Sequence, residues 1–373
     1  MYLRRALSPP EPRASPDSPP EGPAMETPFG PAPEHQPMPS TAAEPAPGPH
    51  PTVRRRPPMK AWLQPTLIAL IVVAAFISCY IGLQRDPQPH HVPIAVTAPG
   101  GLQSEIRQAL GDSIEVRPVA DTDAARRALE HHDVAAALST DGTGELRLEV
   151  AGANGISTTS AVKALIGAYA NGAGKHVTIK DVLPLVRFDA RGLAGFYMAF
   201  GVTLAGFVLG SNALGLTGLL RLRHRFMLLS GASAAIGTVA AIIAGPVLGA
   251  VPAPVVPLLL ILTLLAAAAA FTTKLLGTYL GPVGLPAATL LLLTAGNATS
   301  GATIGVDLLP AIARAVSALL PPGAAVRAIA DLSYFNGAHT AGPVVTLALW
   351  ASVAALLLAL RARLVRRRAS ATT

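Results

Sequence analysis

Residues 221–274 read RLRHRFMLLSGASAAIGTVAAIIAGPVLGAVPAPVVPLLLILTLLAAAAAFTTK, and no charged side chain falls between Phe226 and Thr273. A membrane-crossing helix needs about 20 predominantly apolar residues, so this run has room for two. Pro252, Pro254 and Pro257 mark the turn between them, because proline is costly inside a helix and tolerated at its ends. The basic residues stand outside the run: Arg221, Arg223, His224 and Arg225 before it, Lys274 after it. Basic flanks of apolar runs face the cytoplasm. The stretch therefore reads as a transmembrane hairpin entered and left from the cytoplasmic side.

The same pattern repeats outward. Ala61–Gln84 is uncharged and follows Arg54, Arg55, Arg56 and Lys60; Gly192–Leu220 and Leu275–Val306 are uncharged; Pro343–Leu360 precedes Arg361, Arg363, Arg366, Arg367 and Arg368. Six spans result, with both termini cytoplasmic, and Lys274 sits at a boundary where its side chain can reach the interface. A cleaved signal peptide is the rival for residues 61–84. Signal cores run about 7–15 residues, whereas this one continues through Tyr80, Ile81 and Leu83. Phe76-Ile77-Ser78-Cys79 resembles a lipoprotein cleavage site but lacks the polar linker after Cys79, which reads as an ordinary membrane residue.

Composition agrees. Of 373 residues 13% are charged and 51% apolar, against about 25% charged in soluble chains, and mean hydropathy is +0.47. One cysteine excludes a disulfide framework or a Cys-based metal site. The net charge of +8 lies beside apolar runs, which points to membrane lipids and not to nucleic acid. Residues 1–58 are rich in Pro, Ala, Glu and Ser and read as a disordered cytoplasmic tail; a start at Met25, Met38 or Met59 would shorten it. Residues 363–373 form a basic cytoplasmic tail.

Residues 85–190 alternate differently. Strands are expected at 92–98, 114–119, 134–139, 146–150 and 177–182, and helices at 102–110, 121–130 and 157–170, with Asp121 as a cap. The fold class is thus an α-helical polytopic membrane protein of six transmembrane helices with a small α/β extracytoplasmic domain between helices 1 and 2. A five-helix membrane domain, 192–362, contains a segment, 301–342, too short in each half to span. There Leu309, Ile312, Val316 and Leu319 share a helical face with Arg314 as the lone charge, Pro321-Pro322-Gly323 ends that helix, and a second helix carries Arg327 and Asp331 four apart, able to pair. It reads as a re-entrant hairpin on the outer side; an amphipathic loop on the membrane surface is the alternative.

No catalytic, cofactor or metal site is expected. The glycine clusters lack the lysine of a phosphate-binding loop. The span cores hold no ionisable residue of the kind ion-coupled carriers use, and no histidine partners their serines and threonines. His90/His91 and His131/His132 read as solvated loop residues, and Asn297-Ala298-Thr299 as a chance glycosylation pattern. Gly206/Gly210 and Gly277/Gly281 have the spacing of close helix packing.

Three motifs carry a family resemblance: Asp181-Val182-Leu183-Pro184-Leu185 with Asp189-Ala190-Arg191-Gly192; Gly296-Asn297-Ala298-Thr299-Ser300-Gly301; and Leu308-Leu309-Pro310, Leu320-Pro321-Pro322-Gly323-Ala324 and Tyr334-Phe335-Asn336-Gly337. In their order the chain resembles the permease of a type-2 ABC exporter, in the phage-infection-protein-like branch with an α/β outer domain, over residues 60–362. Asp331 departs from the arginine often found there. The resemblance implies a bacterial plasma-membrane permease that forms a homodimer or paired permease, recruits a separate cytoplasmic ABC ATPase and moves an amphipathic or lipid-like substrate outward. Arg221, Arg223 and Arg225 are then candidate ATPase-docking residues, and Arg314, Pro321, Pro322, Gly323, Arg327 and Asp331 a candidate outer gate. The alternative is a receptor or scaffold whose outer domain binds a cell-envelope ligand; an enzyme is the weakest reading.

Overall fold

The structure is a computed structural model that describes residues 59–140 and 144–371. The proline-rich tail and Arg54, Arg55 and Arg56 lie outside the described residues. Helix α1 (Met59–Gln84) leads into a sheet domain of β1 (Val92–Thr97), α2 (Gly100–Leu110), β2 (Ile114–Pro118), α3 (Thr122–Glu130), β3 (Ala136–Thr140), β4 (Leu146–Val150), α4 (Ile156–Gly172) and β5 (Val177–Asp181). Every predicted strand and helix of this domain is present, and Asp121 caps α3 by accepting from Ala124 N at 2.6 Å. The strand order is β2-β1-β3-β4-β5; β3–β4 is antiparallel and the other pairs parallel.

The two faces of the sheet differ in side-chain size, and this decides what covers them. On one face Ile94, Val96, Leu138 and Leu148 meet Ile106 of α2 and Val162 and Ile166 of α4. On the other the strands present Ala95 and Ala137, and Ala151 follows β4, leaving a shallow trough for larger side chains. Leu129 of α3 fills part of it. Phe335, from the far end of the chain, fills the rest.

The remaining elements are helical: α5 (Ala194–Gly215), α6 (Leu222–Ile242), α7 (Val255–Leu280), α8 (Gly284–Ala288), α9 (Gly296–Ala298), α10 (Ala311–Leu319), α11 (Pro321–Tyr334) and α12 (Ala341–Ala371). Wide π-helical turns extend α6 (Ile243–Val247) and join α8 to α9 (Thr289–Ala295). Among the described residues, five stretches are long and apolar enough to cross a membrane, or up to six if the bent pair α10–α11 counts as one. They fit a multi-pass membrane protein. Leu63, Ile71, Val73 and Phe76 of α1 are exposed and spread around the helix, as a lipid-facing helix requires.

Helix α7 is the centre, packed against α5, α6, α11 and α12. Glycine permits the approach. A Cβ on Gly206 would stand 2.6 Å from the Ala266 carbonyl, one on Gly210 would strike the Ala270 carbonyl, and one on Gly237 would sit 2.6 Å from the Thr263 backbone nitrogen. The Gly206/Gly210 pair thus packs α5 on α7 inside one chain.

Two expectations are corrected. Lys274 is not at a helix boundary: α7 continues to Leu280, and Lys274 is 3% exposed, donating to the Ala213 carbonyl at 2.6 Å. The break falls at Gly281 (φ +58°), after which the chain doubles back so closely that Gly284 lies on the backbone of Leu276 and Gly277. Pro321-Pro322-Gly323 does follow the end of α10 at Leu319, but these residues lie inside α11 and not in a loop between the helices. Pro321 and Pro322 occupy the first two positions of α11, where a missing N–H is no loss. The 81° bend is at Leu320, and Gly323 is buried against Ser317.

Gly206→Leu should therefore force α5 away from α7. Overpacking typically costs about 1–3 kcal/mol, read as a lower unfolding temperature in detergent. Gly231→Ala, whose added carbon meets open space, should leave that temperature unchanged.

Candidate functional site

The sheet domain and the helices meet where α11 ends. Phe335 N and Gly337 N both donate to the Asp331 carbonyl, at 3.0 and 2.9 Å, and Asn336 and Gly337 take positive φ. This closing turn aims Phe335 into the alanine trough, where it is fully buried. The His132 ring stacks on it with centroids 3.9 Å apart and planes 5° from parallel. Nδ1 of the same histidine lies 2.6 Å from Asp331 Oδ1. The Asp331 side chain is only 4% exposed, and a buried carboxylate is tolerated when paired. His132 is poised by the C-terminal turn of α3, where its φ is +61°.

Other contacts join the same parts more weakly. His339 Nε2 and Asp133 Oδ1 are 3.0 Å apart, both well exposed, and such pairs contribute about 0–1 kcal/mol. Gly305 N donates to Ser157 Oγ at 3.0 Å, and His90 N to the Asp307 carbonyl at 2.9 Å. Truncating a buried Phe costs about 3–5 kcal/mol, so Phe335 dominates the junction.

Beside it lies a cavity of about 360 Å³ lined by side chains of both parts, including Asn154, Asp189, Asp307, Arg327 and Asp331. Asp189 Oδ1 accepts from Leu193 N at 2.9 Å and Ala194 N at 3.1 Å and so fixes the start of α5. Asn154 Oδ1 is buried without a hydrogen-bond partner. Burial pushes the Asp307 carboxyl up from the ordinary aspartate value, against the opposing pull of Arg314, His132 and Arg117.

Arg327 and Asp331 do not pair. Side chains lean toward the N-terminus of their helix, and Arg327 reaches back to cap α10, donating to the Ser317 and Ala318 carbonyls at 3.2 and 3.3 Å and to Ser317 Oγ at 3.0 Å. Trp350 Nε1 takes the Leu319 carbonyl at 2.8 Å. Arg314 donates to the Leu309 carbonyl at 3.3 Å, and Pro322 packs against Gly296. The hairpin residues singled out in the sequence are thus mostly internal struts. Asn297 is fully buried and donates to the Leu292 carbonyl, which excludes a glycan there. His132, read as a loop residue, was missed because its partner lies 199 positions away. The one signal was Asp331 itself, a carboxyl group in an apolar hairpin in need of a hydrogen-bond partner.

Two grooves lie in the helical part. One of about 940 Å³ lies between α5 and α6, walled by Tyr197, Met198, Val202, Ile236 and Val239 and sharing Asp189 and Ala250 with the cavity. The other, at the far end of the bundle, is lined by Arg221, Arg223, Arg225 and Arg366. Among the described residues no group of three or more His, Cys, Asp or Glu could hold a metal ion.

Comparison with protein-family models, curated proteins and solved structures found no match to this chain.

Phe335→Ala should lower stability by about 3–5 kcal/mol, and a cycle with His132→Ala should show coupling of about 0.5–1.5 kcal/mol in thermal or denaturant unfolding. A second outcome concerns pH. With its pKa raised on folding, Asp307 keeps its proton to higher pH in the folded chain than in the unfolded one, so stability falls as pH rises from the ordinary carboxylate value through the raised one. Asp307→Asn should unfold at a higher temperature than the parent at neutral pH, and the gap should close below the ordinary value. A gap that does not change with pH would refute the linkage.

Proposed function

We propose that this chain is the membrane-spanning permease subunit of an exporter for amphipathic or lipid-like molecules. The observation that carries the reading is the α5–α6 groove. It is apolar along its length, meets Asp189 and Arg191 at one end, and abuts the cavity beneath the sheet domain, whose lining includes Asp307, Arg327 and Asp331. Such a form suits a molecule with an apolar tail and a polar head. Its volume, about 940 Å³, lies within the roughly 300–1,000 Å³ of small-molecule sites.

The topology we propose has six passes, with the return segment Gly284–Ala298 as the fifth. The turn between α6 and α7 contributes Ala250 and Val251 to the cavity under the sheet domain. Arg221, Arg223 and Arg225 line a groove with Arg366 near the end of α12. The basic residues thus gather at the end of the bundle remote from the sheet domain. By the positive-inside rule that end is cytoplasmic and the sheet domain extracytoplasmic, in a bacterial plasma membrane. Movement outward would be powered by a separate ATPase engaging the segment 220–226, where Arg221 and Arg223 are exposed, and a second permease copy would complete the transporter. The chain itself performs no catalysis.

Gly201 lines the groove, and a side chain added there meets open space. Gly201→Leu should leave abundance and unfolding temperature unchanged while cutting efflux of a fluorescent lysolipid severalfold in cells expressing the chain. Undiminished efflux at matched abundance would overturn the groove as the substrate path and favour the receptor or scaffold reading.

A further inference from the structure

The chain has no Asp or Glu from Gly192 to Val306 or from Ala341 to its last residue. The end of the bundle remote from the sheet domain is nevertheless crowded with cations. Arg221, Arg223 and Arg225 at the start of α6 and Arg366 on α12 line one groove of about 960 Å³, with Phe226 and Met227 among its apolar walls. Close by, Lys274 is 3% exposed, with Ala213 O as its acceptor. Arg225 is near enough to repel Lys274 electrostatically, and its Nε is shut off from solvent without a hydrogen-bond partner. Two like charges this close, with the Nε edge of Arg225 shut off from water, are costly unless an anion answers them. No side chain of these helices can supply one.

We propose that the notch holds the phosphate of an anionic phospholipid headgroup. Arginine presents paired donors matched to phosphate oxygens, and the start of α6 adds the positive end of a helix dipole. The walls select the source of the phosphate. Met227 is 67% exposed and with Phe226 gives acyl chains an apolar surface in the same groove as the arginines. A free phosphate or an acidic peptide would leave that surface unused. Arg225 is the inner ligand and Arg366 the outer one. The site is remote from the α5–α6 groove. It adjoins the 220–226 segment assigned to the ATPase, but its inner and outer ligands, Arg225 and Arg366, are tested apart from Arg221 and Arg223, so its failure would leave the export reading untouched.

The test uses the purified full chain in neutral detergent, with thermal protection measured against added short-chain phosphatidylglycerol, short-chain phosphatidylcholine, inorganic phosphate and polyglutamate. Phosphatidylglycerol should protect, and the other three should not. Arg225→Gln and Arg366→Gln should each weaken that protection roughly fivefold in midpoint concentration, the worth of about 1 kcal/mol per basic residue at an anionic lipid surface. Arg126→Gln, in the sheet domain, should not. Arg366 keeps the test open if the Arg225 variant fails to fold. Equal protection by inorganic phosphate overturns the lipid assignment, as does protection by polyglutamate alone, which would make the notch a docking surface for an acidic protein. Protection that neither arginine variant weakens overturns the site.

Discussion

One aromatic ring ties the two halves together. Phe335 leaves the end of α11 and completes the core of a sheet domain formed some 200 residues earlier in the chain. The trough exists because the strands there carry alanine, as at Ala95 and Ala137. A larger side chain at either position would occupy the space the ring needs. His132 covers the ring and at the same time answers the Asp331 carboxylate. A single imidazole thus serves two buried groups that neither part satisfies alone. The weaker links through His339 and His90 follow from this registration and could not impose it.

The second constraint is the density of the bundle around α7. Glycine at 206, 210 and 237 brings the α5 and α6 backbones onto α7 at distances any Cβ would forbid. That closeness also explains Lys274. The carbonyl of Ala213 comes within reach of its ammonium, which makes a buried lysine tolerable in an otherwise uncharged helix.

The sheet domain was legible because period-two and period-3.6 patterns alternate over short distances, and its boundaries fall within a residue or two of those read from the sequence. The helical part was legible in composition but not in punctuation. Lys274 resembled a boundary since charge normally leaves the membrane core; the actual break, at Gly281, depends on a backbone conformation that no charge marks. Pro321 and Pro322 read only as a stop for α10, whereas they also open α11, where proline is tolerated at the first helical positions. The junction was least legible. His132 and Asp331 are each unremarkable locally, and only the fold brings them together. Arg327 and Asp331 had the spacing of a pair, yet the exposed carbonyls of α10 were the nearer demand on the arginine.

These restraints leave the space between α5 and α6 open. The hairpin is braced at every turn: α10 by Arg327 and Trp350, the start of α11 by Gly296 against Pro322, and its end by Phe335. Helices α5 and α6 are each clamped to α7. Between α5 and α6 themselves the packing opens into the apolar groove, whose lining includes Gly201, Ala205, Ala235 and Ala240, residues too small to close it. The groove is therefore a by-product of two separate dockings on a common helix and exists before any ligand arrives. A ligand entering it displaces no core side chain, so it avoids the repacking cost that a close-packed interior would impose. In the proposed exporter, the sheet domain, fixed by Phe335 at the end where groove and cavity meet, is what the polar end of a substrate would encounter.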